Sequence, residues 1–144
     1  MSDTSAPPTL PAPDLDLDRS GPFLRGAGLE MTEISGTRVV GHIDLGPDQH
    51  TPWGVVHGGV YTTAVESAAS VGASAAVAAK GQFAVGVHNA TDFLRAMTEG
   101  RVDVEAVPVQ QSSVQQLWDV RITNAEGKLV ARGAVRLQNV TPRG

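Results

Sequence analysis

Residues 37–45 (TRVVGHIDL) form a short run rich in β-branched and apolar side chains, which predicts a strand. Residues 48–56 (DQHTPWGVV) are broken by Pro52 and Gly54 and predict a loop. The pattern then changes. Over residues 58–79 small residues predominate, Ala above all, and their helix propensity predicts one long helix. Lys80 and Gly81 predict its end, a cation near the helix C-terminus followed by a glycine suited to a left-handed cap. Four strand-like segments follow, at 82–94, 101–111, 114–123 and 128–139. In the second, Val102, Val104 and Ala106 fall on one face and Arg101, Asp103 and Glu105 on the other. Asn124 to Gly127 (NAEG) predicts a hairpin turn before the last strand. The order of elements predicts an α+β domain in which one antiparallel sheet wraps around one central helix.

Residues 1–21 (with SAPPTLPAPDLDLD) hold too little apolar matter to fold alone, and read as a disordered tail before a domain at 22–144. The chain has no cysteine, which excludes disulfides, thiolate metal sites and a cysteine nucleophile. A formal charge of -4 and 4% aromatic residues argue against a nucleic-acid surface. No basic region followed by an apolar run opens the chain, so no signal peptide is read. The long weakly polar segment carries a carboxylate near its middle and is a poor membrane span. The expectation is a soluble cytoplasmic protein.

That carboxylate, Glu66, is the one charged residue between 59 and 79. A surface helix of this length carries several charges on its outer face, so this helix is expected to be buried around most of its circumference. A lone carboxylate there costs free energy unless it is paired, hydrogen-bonded or wet in a cleft. It is either satisfied by Thr62, Thr63 or Ser70 nearby on the helix, or placed there for function. The preceding residues, Val56-His57-Gly58-Gly59, favour function. Two glycines let the backbone approach a ligand, and the first amides of a helix point outward with partial positive charge. Such an amide can receive a developing oxyanion. The expected site therefore has Glu66 facing a cleft floored by the leading amide of its own helix.

Other chemistries find little support. His42, His50, His57 and His88 include no close ligand pair, which argues against zinc. There is no G-x-S-x-G, no G-x-G-x-x-G and no Walker pattern. His57 reads as a loop-shaping residue, and Trp53 and Trp118 as packing groups.

The segment WGVVHGGVYTTAVES resembles the active-site segment of hotdog thioesterases, most closely the 4-hydroxybenzoyl-CoA thioesterases that use Glu. The likeness continues through AVGVHNATDFLRAMTEGRVDVEAV and LWDVRITNAEGKL at similar spacing. The resemblance implies a hotdog fold and hydrolysis of an acyl-CoA, an aryl one such as 4-hydroxybenzoyl-CoA included, with no cofactor or metal. It implies Glu66 as the catalytic carboxylate, Gly58 as the oxyanion amide and Ser70 as a hydroxyl that orients water or the carboxylate. His57 and Gly59 would flank the substrate, and Arg95 and Ser113 would contact coenzyme A. A Gln or Asn that touches the thioester carbonyl in the family falls on Thr51, a shorter side chain, with Gln49 nearby as a substitute. The family implies a homodimer or homotetramer with sites at the subunit interface. A non-catalytic acyl-CoA-binding module is the competing function; retention of Glu66 and Ser70 counts against it.

Overall fold

Pro22 opens the first element of the computed structural model, which describes residues 21–143. This is a six-residue helix, α1 (Pro22–Ala27). Proline suits a first turn, where its missing N–H has no partner to lose. Gly28 ends the helix at φ 81°, its N–H donating to the Leu24 carbonyl at 3.2 Å. The expected tail, Gly21 excepted, lies outside the described residues.

Strands β1 (Glu30–Ile34) and β2 (Val39–Leu45) precede the long helix α2 (Gly58–Val77). Four more strands follow: β3 (Phe83–Phe93), β4 (Gly100–Gln111), β5 (Gln115–Asn124) and β6 (Leu129–Val140). Every pairing is antiparallel, and the order across the sheet is β1-β2-β4-β5-β6-β3. The sheet holds α2 against one face, the hotdog arrangement. α1 and β1 are the elements the sequence pattern does not predict. Three of the five β1 residues are polar and the strand lies at an edge. The helix ends as expected, with a 3-10 turn at Ala78–Lys80 and Gly81 in the left-handed conformation.

No residue of α2 is exposed. Its small side chains explain how. Tyr61, Ala64, Val65, Ala68, Ala69, Gly72, Ala73 and Val77 are buried against the sheet. At Gly72 an added Cβ would lie 2.5 Å from the Trp118 ring, so only glycine permits this approach. Val102, Val104 and Ala106 face the helix as the alternation predicts, joined by Trp118, Val120, Ile122, Val135 and Leu137. Gln116 is buried but satisfied. Its Nε2 donates to the Ala73 carbonyl (3.0 Å) and to Asn139 (2.8 Å), while its Oε1 accepts from Trp118 Nε1 (2.9 Å) and Gln111 (3.0 Å). This network ties the second half of α2 to the sheet and avoids the cost of an unmade buried bond. No helix among the described residues is long and apolar enough to cross a membrane.

Candidate active site

The start of α2 is built by His57. As the N-cap, its Nδ1 accepts the Gly59 N–H at 2.8 Å. A ring nitrogen that accepts carries no proton, so a neutral His57 holds its hydrogen on Nε2. The His57 carbonyl takes the Val60 N–H at 3.0 Å. The Gly58 N–H finds no partner among the described residues, and it lies at the positive end of the helix dipole. Flanking bonds fix the segment: Val56 N–H to the Met97 carbonyl and His57 N–H to the Gln49 carbonyl, both 2.8 Å. Gly58 lines a cavity of about 410 Å³ with Thr51, Tyr61, Phe93 and Arg95. A Cβ on Gly58 would sit 2.7 Å from the Phe93 ring, so any larger residue there must push that ring aside.

Glu66 is half-buried and lines a second cavity of about 370 Å³ with Phe23, Leu24, Thr62, Thr63, Ser67 and Asn89. It makes no ion pair among the described residues. Its hydrogen bond comes from strand β3, not from its own helix: Asn89 Nδ2 donates to Oε2 at 3.2 Å. The hydroxyl of Thr62 turns back to the Gly58 carbonyl, and no bond joins Thr63 or Ser70 to the carboxylate. The other oxygen, Oε1, lies against Gly86, where an added Cβ would overlap it.

Gly58 and Glu66 do not meet within one chain. Eight residues at 1.5 Å each separate them by about 12 Å along the helix axis. A donor to a carbonyl oxygen and a group attacking that carbonyl must each lie within about 3–3.5 Å of it. The expected cleft, with Glu66 above the leading amide of its own helix, is therefore not formed. A third depression of about 630 Å³ runs between them, lined by His57, Gly59, Thr62, Thr63 and Phe23.

The remaining sequence-derived residues are placed unevenly. Thr51 and Arg95 share the Gly58 cavity. The Thr51 hydroxyl accepts the Trp53 N–H at 3.3 Å within a tight turn. Gln49 is no substitute for the missing long amide: its Nε2 donates to the Ala27 carbonyl (2.8 Å) and its Oε1 accepts the Gly46 N–H (3.1 Å). It anchors α1 to the loop. Ser70 is half-buried one turn beyond Glu66. Ser113 lies exposed in the β4–β5 turn and does not line the cavity that holds Arg95. Trp118 packs as expected at 0% exposure, but Trp53 is 84% exposed on its turn. The residues that touch Glu66, Asn89 and Gly86, are not singled out by the sequence pattern. Their signal is weak but present: glycine and asparagine are both depleted in strands, and here they punctuate one.

Comparison with known proteins places the chain. The profile of the thioesterase superfamily matches residues 54–131, over half of the sequence. The Mycobacterium tuberculosis protein Rv1847 is 41% identical over 138 residues, covering 94% of this chain and 96% of that one. Its solved structure superposes with a TM-score of 0.82 over 86% of this chain and 100% of that chain. The structure of S. sahachiroi AziG, 39% identical, gives 0.81 over 85% and 99%. A 1,4-dihydroxy-2-naphthoyl-CoA thioesterase of Arabidopsis thaliana is 35% identical over 72% of this chain and 65% of its own length. The chain is a hotdog-fold member of the thioesterase superfamily.

Proposed function

We propose that the protein hydrolyses an acyl-CoA thioester, releasing a carboxylic acid and coenzyme A, with Glu66 of one chain and the Gly58 amide of a second acting on the same carbonyl. The observation that carries this reading is the placement of Glu66: one carboxylate on an otherwise uncharged, unexposed helix, lining a cavity and free of any cationic partner among the described residues. The distance between Gly58 and Glu66 along one helix calls for two copies. Strand β3 supports such pairing: it is an eleven-residue edge strand with exposed Val85, Val87 and Phe93.

The thioester oxygen would accept the Gly58 N–H. Negative charge builds on it in the transition state, and one such donor is worth roughly 3 kcal/mol. Glu66 then either attacks the carbonyl carbon, expelling the coenzyme A thiolate and leaving an anhydride that water opens, or removes a proton from the attacking water. The resemblance favours attack; both routes give the same products. Ser70 would steady the water or the carboxylate. Arg95 and the partner's copy of the β4–β5 turn, with Ser113, would hold coenzyme A. The acyl group would enter beside Phe23, Thr63 and Ser67. An aryl acyl group fits this mixed lining, and relatives named for 1,4-dihydroxy-2-naphthoyl-CoA support that class.

The test is release of coenzyme A, followed with a thiol reagent, from aryl and aliphatic acyl-CoAs. Wild type should turn over and Glu66→Gln should be folded and nearly inactive. Turnover of the purified variant within severalfold of wild type would refute the assignment. Binding without thiol release in wild type would establish the non-catalytic module instead.

A further inference from the structure

Strand β3 does not run straight past Glu66. Its pairing with β6 matches Gly86 to Leu137 and His88 to Arg136, so Val87 is an extra residue without a partner. A one-residue bulge reverses the alternation of faces beyond it. Before the bulge the even positions face α2: Ala84 is buried and Gly86 lies on the Glu66 carboxylate. After it the odd positions do. Asn89 reaches Glu66 and the Thr62 carbonyl, Thr91 lies beside it, and Phe93 crosses Gly58. Without the bulge, His88 and Ala90 would take the helix side.

The amide of Asn89 is fixed in sense. Its Nδ2 donates to two acceptors, Glu66 Oε2 (3.2 Å) and the Thr62 carbonyl (3.3 Å), and its Oδ1 accepts from the Thr91 hydroxyl (2.7 Å). Turning the amide over would set its oxygen against two other acceptor oxygens. Thr91 has room because its cross-strand neighbour is Gly133, where a Cβ would lie 2.8 Å from Oγ1. We propose that Asn89, aimed by the Val87 bulge and locked by Thr91, is a positioning residue that holds the Glu66 carboxylate in its working orientation. This rests on the reading of Glu66 as catalytic.

Asn89→Ala should lower kcat about 10- to 100-fold, the scale of a misplaced reacting group, with KM within about threefold. Removing a donor to a carboxylate disfavours its charged form, so the acid limb of kcat/KM should also move to higher pH. Thr91→Val, which frees the amide without deleting it, should shift kcat and the acid limb in the same directions by less. It serves as the test if Asn89→Ala does not fold. Unchanged kcat in the folded variants would overturn the inference, as would a fall in kcat with an unmoved acid limb. Glu66→Gln separates the two levels. If it is inactive while Asn89→Ala works normally, only the positioning role falls; if it is active, both fall.

Discussion

Glu66 lies so close to Gly86 that a methyl group on residue 86 would overlap its Oε1. The three atoms nearest to that methyl group all belong to the Glu66 carboxylate, the movable end of a side chain. Gly86→Ala should therefore displace the carboxylate more than it disturbs the fold. The expected result is a fall in kcat/KM of about tenfold or more, with stability changed by less than about 1 kcal/mol. Steady-state kinetics and a urea titration on the same preparation check both halves.

The separation of Gly58 from Glu66 makes a sharper prediction. Glu66→Gln removes the carboxylate, and Gly58→Val, which keeps the amide N–H, fills the cavity beside it and pushes against Phe93; both should be inactive alone and restore each other when co-expressed. In a two-fold dimer a mixed pair carries one site with both groups intact, so random pairing should recover about a quarter of wild-type turnover. Purified mixed dimers with no recovered activity would show that the two groups do not serve one site.

Tyr61 is the one tyrosine of the chain, 3% exposed, and its hydroxyl has no partner among the described residues. Burial pushes its phenol up to about 12. Below about pH 10 both folded and unfolded chains keep the proton; above it the unfolded chain loses it first. Stability should therefore be full below that pH and fall as pH rises toward about 12. Phenolate absorbance of the folded protein should titrate near the upper value. Tyr61→Phe should remove this loss, and at neutral pH be neutral or stabilising, because it deletes an unpaired buried hydroxyl. A loss above about 1 kcal/mol at neutral pH would mean that the hydroxyl has a partner in solution.

Gly72 and Trp118 test the packing of helix on sheet. Gly72→Ala brings a methyl group to 2.5 Å from a fully buried ring, with Val39 at 2.9 Å on its other side. Overpacking of this kind costs about 1–3 kcal/mol. The midpoint of denaturant unfolding should fall accordingly, with the slope unchanged.

Much of this architecture is legible in the sequence. Helix α2 and strands β2 to β6 follow from periodicity and from the turns at Gly81 and Asn124, with ends within about two residues, the usual uncertainty of such boundaries. The hairpin strand β1 is not, because Glu30, Thr32 and Glu33 break its apolar pattern. Helix α1 is too short to carry a period, and Gln49 holds it by a contact distant in sequence. At the site, the isolation of Glu66 and the amides of Gly58 and Gly59 are visible in one dimension. That Gly59 is spent on His57, leaving Gly58, needs coordinates. So does Asn89, whose approach to Glu66 depends on one unpaired residue in a strand that otherwise reads as regular.

The absence of any exposed residue along α2 has a consequence for how this chain can vary. Most helices offer a wet side where substitutions drift freely. Here twenty consecutive positions meet the sheet, the cavities or the neighbouring loops, so a saturation library should show an unbroken band of intolerance across them. The freedom to diverge is pushed outward, to the solvent faces of the strands and to the turns, and on the helix itself relatives with different substrates would be expected to differ only where it lines a cavity, at positions such as Thr63 and Ser67.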